Sequence, residues 1–145
     1  MENYTASLGH ALERGVIQGS AGEGRISAAT RAGYAAACVA VLTSAEDQAG
    51  RTYELGGDAG FTMAEYAAEL SRLSGKTVTW RNLPVDDYAS ALAAAGLAEG
   101  LARMLAESDG AIASGALFDD SHELSRLIGR PTITLDQAIS TALAA

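Results

Sequence analysis

The extended segments of this sequence are few and short, and that pattern limits the fold more than any other feature. Alternating apolar residues bounded by Gly or Pro predict strands at 16–18, 25–30, 51–55 and 77–83. Longer alanine-rich segments with apolar spacings of three and four predict helices at 2–14, 30–44, 62–75, 84–95, 98–108, 120–128 and 134–143. Residues 110–118 are rich in small side chains and fit either helix or loop. A chain of 145 residues has room for one domain, 1–145, and we expect it to be helix-rich α/β.

The helix at 62–75 has the clearest local signature. Thr62 and Glu65 have the spacing of a capping box, and Phe61 and Tyr66 have the spacing of a hydrophobic staple. Gly75 is placed to end the helix. The same device is predicted for the last two helices, by Asp120 with Glu123 and by Thr134 with Gln137.

The charge balance argues against nucleic acid as a partner. The formal net charge is −8, and only one of the ten basic residues is Lys. Phosphate binding needs clustered Lys and Arg, and no such stripe is visible. No apolar run approaches the length of a membrane helix, and residues 1–10 do not resemble a signal peptide. We therefore expect a cytoplasmic protein without a membrane or nucleic-acid partner.

Cysteine and histidine suggest neither a disulfide nor a metal site. Cys38 is the only cysteine, and it lies on a predicted apolar stripe with Tyr34, Val41 and Leu42. We interpret Cys38 as a small core residue. His10 and His122 lack a second ligand at metal-binding spacing.

Composition and spacing reveal no complete active site, so we predict no catalytic residue. The neighbouring acidic residues at 86–87, 107–109 and 119–120 fit acid–base or cation chemistry, but also helix capping. The glycine-rich segment 19–24 reads G-x-x-G-x-G, which matches no phosphate loop and precedes an extended segment. Arg31 is unusual because a cation beside the Thr30 cap opposes the helix dipole. Anion binding, pairing with an acid and simple solvation all remain open for Arg31.

Eight segments, taken together, resemble one family. They read ENY at 2–4, GSAGEGRI at 19–26, ATRAGYAAA at 29–37, YELGGD at 53–58, AAEL at 67–70, SGKTVT at 74–79, GALFDDS at 115–121 and LIGRPTITL at 127–135. Their order and spacing resemble the C-terminal half of the type 2 NAD(P)H:quinone oxidoreductases. These enzymes belong to the NmrA-like branch of the atypical short-chain dehydrogenases/reductases, which also includes triphenylmethane reductases.

The resemblance implies the substrate-side lobe of a Rossmann enzyme, with a few short, mainly parallel strands. The family's N-terminal Rossmann half carries the phosphate loop, and we expect this chain to lack it. Asn3, Tyr4 and Arg31 match family positions near the cleft between cofactor and substrate, so they are the candidate cofactor-binding residues. The family's Asp in the third segment is Gly33 here, which places an acid–Arg pair at that point in doubt.

Three functional hypotheses follow from this resemblance. In the first, the chain is half of an NADPH-dependent quinone oxidoreductase, with a quinone-like substrate, and is inactive alone because it binds no cofactor by itself. In the second, it is a non-enzymatic module that homo-oligomerises, or docks onto a complementary Rossmann-half chain, through apolar surface left bare. A third, weaker hypothesis is a dinucleotide-sensing regulator, which also needs the Rossmann half.

Overall fold

The computed structural model describes residues 1–145 and contains eight helices and two strands. The helices are α1 (Glu2–Thr5), α2 (Leu8–Arg14), α3 (Arg31–Leu42), α4 (Met63–Ser74), α5 (Val85–Ala94), α6 (Glu99–Ala113), α7 (Glu123–Ile128) and α8 (Leu135–Leu143). The strands are β1 (Val16–Gly19) and β2 (Thr79–Asn82). None of the helices combines the length and the apolar character that crossing a bilayer requires.

The two strands form a parallel pair, which confirms the expected helix-rich α/β fold. Val16 lies opposite Thr79, and Gly19 lies opposite Asn82. The other two predicted strands do not form. Segment 25–30 contributes only one antiparallel bridge, between Ile26 and Phe61. Segment 51–55 is irregular and has no neighbouring strand to pair with.

The predicted helix over 2–14 is two helices, because the Tyr4 carbonyl has other partners. The Tyr66 hydroxyl donates to this oxygen at 2.8 Å, and the Ser7 hydroxyl donates at 3.3 Å. An uninterrupted helix would use the same carbonyl for an i→i+4 bond. The sixth helix, in contrast, is longer than predicted and takes in the first part of the ambiguous segment 110–118.

The capping predictions are confirmed for α4 but not for α7. Thr62 and Glu65 exchange hydrogen bonds of 2.8 and 3.1 Å between side chain and backbone. Gly75 ends α4 in the left-handed conformation. The prediction of an Asp120 cap is wrong, because α7 begins at Glu123 and the preceding residue, His122, is left-handed with a φ of 55°.

The main core lies between α2, α4 and α8 and the segment around Ile26. Leu70 and Ile139 are fully buried at its centre, with Phe61 and Tyr66 beside them. A smaller cluster joins α3 to α7 through Ala37 and Leu124. The placement of Cys38 in the core is wrong. Only Gly33 and Ala37 of α3 are buried, and the thiol is exposed on the outer face of the helix.

A tight contact at Gly24 joins the glycine-rich loop to α6. A Cβ built at Gly24 would lie 2.1 Å from the Ile112 oxygen and 2.6 Å from its carbonyl carbon. Both atoms belong to the backbone, so neither can move away by a rotamer change. The glycine is required here for close approach.

We expect Gly24→Ala to lower the free energy of unfolding by about 1–3 kcal/mol, because the added methyl group overpacks a rigid contact. Gly100→Ala is the matched control, since a Cβ at Gly100 meets nothing within 4 Å. That helical substitution should be neutral or stabilising by up to ~1 kcal/mol. Urea unfolding of both variants measures the difference in the free energy of unfolding. Equal urea midpoints for Gly24→Ala and Gly100→Ala would contradict the tight contact at Gly24.

Asp58 fastens its loop to two distant segments. Its carboxylate accepts the Thr132 N–H at 2.9 Å and lies 3.1 Å from His122 Nδ1. Its own N–H donates to the Thr132 hydroxyl at 2.8 Å. Burial raises the pKa of Asp58, but hydrogen bonds from Ser125, Thr132 and His122 outweigh that effect and lower the pKa to about 2.

A lowered pKa in the folded state means that ionised Asp58 stabilises the fold above its ordinary value of 3.8. This contribution should disappear as the pH falls from about 4 towards about 2. We expect Asp58→Asn to be less stable than the parent at pH 7 and to lose less stability on acidification. Urea midpoints at pH 7 and pH 3 test this. The control is Asp87→Asn, at an exposed position on α5. Its urea midpoint should change between pH 7 and pH 3 by the same amount as that of the parent.

Candidate functional site

A cleft of about 330 Å³ opens between α1, the start of α3 and the segment that joins β1 to α3. Seven of its eleven lining residues are hydrophobic. The lining residues are Met1, Glu2, Asn3, Tyr4, Ile26, Ser27, Ala28, Ala29, Arg31, Tyr34 and Leu117. The volume falls at the lower end of the range of small-molecule sites.

The three residues that the sequence singled out all line this cleft. Asn3 and Tyr4 come from α1, and Arg31 opens α3. The sequence separates Tyr4 from Arg31 by 26 intervening residues, so the fold brings them together. Whether they bind a cofactor stays a prediction.

Glu2 joins α1 to α3 without neutralising Arg31. Both carboxylate oxygens accept the backbone N–H of Arg31, at 3.0 and 3.1 Å. Burial raises the pKa of Glu2, but the backbone hydrogen bonds and the nearby amino terminus lower it overall. A carboxylate at this position also suits the N-terminal end of the α3 dipole, and Thr30 caps the helix by accepting the Gly33 N–H at 3.0 Å.

The Arg31 guanidinium takes part in no ion pair. The acid pairing considered for Arg31 therefore involves its backbone and not its side chain. Gly33 stands where the family has an Asp, and no carboxylate follows Arg31 on the first turn of α3. The acid–Arg pair that the sequence placed in doubt is therefore absent at this point. An unpaired cation at the edge of a cleft is available to a ligand that carries oxygen atoms.

Two tyrosines complete the polar part of the cleft. Tyr4 packs edge-on against Phe61, with 5.6 Å between ring centroids. Burial, followed by the nearby Asp109 and Tyr34, raises the pKa of Tyr4, so its phenol stays protonated at neutral pH. Tyr34 is 39% exposed. Neither hydroxyl has a hydrogen-bond partner in the chain, and the same is true of the Asn3 amide.

Sequence reasoning missed Tyr34 as a site residue and placed it on the apolar stripe of α3. The signal that could have found it was its position in segment 29–37, three residues after Arg31. Residues three apart share a helix face, so Tyr34 accompanies Arg31 to the cleft. Ser27 and Leu117 carried no local signal, because the cleft gains them through contacts between distant segments.

The glycine-rich loop 19–24 is occupied by internal hydrogen bonds. The Ser20 N–H donates to the Asp109 carboxylate at 3.0 Å, and the Gly22 N–H donates to the Asn82 side chain at 2.9 Å. The Gly24 N–H donates to the Ala21 carbonyl at 2.9 Å. These backbone groups therefore hold the loop against β2 and α6, and they do not form a free phosphate cradle.

The acidic residues considered for catalysis serve mainly as structural partners. Arg103 bridges Asp86 and Glu107 on the exposed side of α5 and α6. Asp119 accepts hydrogen bonds from Gly56 and Ser121, and these bonds lower the pKa of its carboxyl. Burial raises the pKa of Asp109, although the bond from Ser20 opposes it. No group of three or more His, Cys, Asp or Glu residues is arranged to hold a metal ion.

Known proteins match this chain along nearly its whole length. It is 52% identical over 139 residues to Quinone oxidoreductase 2 of Escherichia coli strain K12, covering 96% of this chain and 48% of that protein. The crystal structure of the E. coli NADPH-dependent quinone oxidoreductase complexed with NADPH matches with a TM-score of 0.93 and 51% identity. That match covers 98% of this chain and 50% of that one. No family model matches the sequence.

A second enzyme has the same architecture at lower identity. Triphenylmethane reductase of Citrobacter sp., complexed with NADP(H), matches with a TM-score of 0.86 and 32% identity over 94% of this chain and 47% of that one. The fold is therefore that of the C-terminal lobe of NmrA-like NAD(P)-binding reductases. Within this class the chain belongs to the quinone oxidoreductase family and corresponds to its C-terminal half, as the sequence predicted. It spans about half the length of the relatives that it matches.

The position of α1 in the site depends on the Tyr66 hydroxyl. We expect Tyr66→Phe to lower the free energy of unfolding by about 1 kcal/mol, because it removes the bond to the Tyr4 carbonyl. Amide resonances of residues 2–8 should shift in an NMR spectrum. Tyr88→Phe is the control, since the hydroxyl of Tyr88 has no partner in the chain. Similar effects of the two substitutions would contradict this role of Tyr66.

Proposed function

We propose that this chain is the substrate-side lobe of an NADPH-dependent quinone oxidoreductase and that the cleft between α1 and α3 binds the quinone. One observation carries the proposal. Four polar side chains in the cleft, those of Asn3, Tyr4, Arg31 and Tyr34, have no hydrogen-bond partner in the chain, whereas the acid beside them, Glu2, is already engaged.

This distribution of groups suits a quinone. The four free side chains all carry hydrogen-bond donors, and a quinone offers carbonyl oxygens that only accept. Ile26, Ala28 and Leu117 supply apolar surface for a flat ring. Donors directed at a carbonyl oxygen also stabilise the negative charge that develops there on reduction.

NADPH is the reductant in this proposal, and when bound it supplies a hydride. The N–H groups of Ser20, Gly22 and Gly24 in loop 19–24 are engaged within the chain, and Glu23 adds a negative charge, so this loop does not suit the cofactor's phosphates. In this proposal Asn3, Tyr4 and Arg31 meet the nicotinamide side of the cleft, and the phosphates need residues outside this chain. The chain alone should therefore bind no NADPH and show no activity. A cytoplasmic location is part of the same proposal.

We expect saturable binding of duroquinone, which is fully substituted and does not add to the exposed Cys38 thiol. Arg31→Gln should weaken binding roughly tenfold, because it replaces a charged donor group with a shorter neutral amide, and Tyr34→Phe about fivefold, because it removes one hydroxyl donor. Titration followed by amide shifts in ¹⁵N NMR spectra measures both affinities. Arg130→Gln is the matched control, since Arg130 is exposed and forms no ion pair.

Three outcomes would count against this proposal. Absence of saturable quinone binding would remove its basis, and equal weakening by Arg31→Gln and Arg130→Gln would indicate unspecific attraction. NADPH added to the same sample should leave the spectrum unchanged. Saturable micromolar NADPH binding would show that the chain holds the cofactor without further residues.

The second candidate function is an assembly module, which the outer face of α3 favours. Val39 is 59% exposed and Leu42 is 84% exposed. Beside them an apolar hollow of about 300 Å³ is lined by Ala37, Cys38, Val41, Leu42, Tyr53, Leu55 and Leu127. Such a face suits a homo-oligomer or a complementary Rossmann-half chain. Sedimentation velocity tests self-association, and a monomer at high concentration would argue against the homo-oligomer.

A further inference from the structure

The cleft between α1 and α3 has a buried floor and an exposed mouth. Ile26 and Ala29 are almost fully buried at its floor. At its mouth, Tyr34 is partly exposed and Leu117 is 47% exposed. The donor groups of the cleft come from α1 and α3, whereas Leu117 comes from the segment between α6 and α7. The outer end of a ligand in this cleft therefore lies beside Leu117 and Tyr34.

A second large apolar side chain extends this mouth. Phe118 is 48% exposed. A Cβ built at Gly60 would lie 3.5 Å from two carbons of the Phe118 ring and 3.3 Å from the Ser27 hydroxyl. Ser27 lines the cleft, so the Phe118 ring lies next to the cleft wall. Leu117 and Phe118 thus form an apolar rim at the mouth.

Backbone hydrogen bonds hold the apolar rim in place. The Ser27 N–H donates to the Leu117 carbonyl at 2.9 Å, and the Phe118 N–H donates to the Gly115 carbonyl at 3.1 Å. The Ser27 hydroxyl accepts the Asp119 N–H at 3.0 Å. These three bonds fix the segment, so the two side chains stay exposed unless a ligand or a protein surface covers them. Single exposed apolar residues are common, but two on a fixed segment beside a cleft give a continuous apolar surface.

We infer that the apolar rim binds a hydrophobic ring substituent, so that the preferred ligands of this cleft are quinones with an alkyl side chain. The inference rests on the proposed quinone site and names the class of quinone. The cleft volume of about 330 Å³ suits a ring, and a chain attached to that ring has to leave through the mouth. The rim is the apolar surface that such a chain meets, and each methylene group that it covers adds to the affinity.

A second copy of the chain is a less suitable occupant of the rim. Stable protein interfaces bury about 800 Å² on each partner, and two half-exposed side chains supply only a small part of such an area. The rim is, however, continuous with a cleft that has the size and the donor groups of a small-molecule site. A substituent of the ligand in that cleft is therefore the occupant that the structure favours.

Two fully substituted quinones that differ only in one substituent test the inference. Duroquinone carries four methyl groups, and in its analogue a pentyl chain replaces one of them, so neither adds to the exposed Cys38 thiol. We expect the pentyl analogue to bind about tenfold more tightly, a gain that corresponds to the burial of about two methylene groups. Titrations followed by ¹⁵N NMR spectra of the chain measure both affinities. The amide shifts that only the pentyl analogue causes should be concentrated at Gly60 and in segment 115–119.

Substitutions at Phe118 separate the rim from general hydrophobic attraction. In Phe118→Ser the ratio of the two affinities should fall from about ten to about three or less, because half of the rim is lost. Phe118→Leu keeps an apolar side chain and should keep most of the ratio. Leu42→Ser is the matched control, since Leu42 is exposed on the outer face of α3, and it should leave the ratio unchanged. If Phe118→Ser does not fold, the positions of the amide shifts in the unsubstituted chain decide the question.

The outcomes distinguish this inference from the proposed function. Equal affinities for the two quinones would overturn the inference and leave the quinone site intact, whereas no saturable binding of either quinone would overturn both. Equal losses in Phe118→Ser and Leu42→Ser, or additional shifts that avoid segment 115–119, would place the alkyl chain elsewhere and contradict the role of the rim. Self-association in sedimentation velocity that Phe118→Ser removes would assign the rim to a second copy, which also overturns the inference.

Discussion

The segment between β1 and α3 has almost no regular structure, yet its backbone hydrogen bonds hold the rest of the molecule in place. Ile26 exchanges two backbone bonds with Phe61, and Ser27 donates to the Leu117 carbonyl at 2.9 Å. The Ser27 hydroxyl also donates to the Asp119 carbonyl at 2.7 Å. Buried backbone groups without partners are costly, so this segment can be buried only where all these partners converge. That requirement brings α3, α4, α6 and the segment before α7 to one place.

The candidate site follows from the same arrangement. The segment forms one wall of the cleft, and α1 forms another because Tyr66 and Glu2 anchor it at its two ends. Glu2 is used to connect helices, and this leaves the guanidinium of Arg31 without a counter-charge in the chain. The cleft therefore presents donors in excess of acceptors, which is the basis for proposing a quinone as its ligand. The cleft has this character because the fold pairs the Glu2 carboxylate and leaves the Arg31 guanidinium unpaired.

The small sheet contributes less to the core of the molecule than the helices do. Two parallel strands bury little apolar surface. The core that α2, α4 and α8 form packs against the strands. Most of the buried apolar surface of this molecule thus comes from helical packing and not from the sheet.

The sequence by itself determined the features that depend on residues close together in the chain. The capping box of Thr62 and Glu65, the end of α4 at Gly75, the short strands β1 and β2 and the family resemblance were all readable, because each signal spans a few residues or a fixed order of segments. Only the tertiary structure decided that Tyr34 lines the cleft, that Cys38 is exposed, that His122 precedes α7 in a left-handed conformation and that segment 51–55 is not a strand. These outcomes depend on contacts such as Tyr66 with Tyr4 and Ser27 with Asp119, which join residues 62 and 92 positions apart. Local propensity carries no information about such partners, since burial and pairing are settled only when distant segments meet.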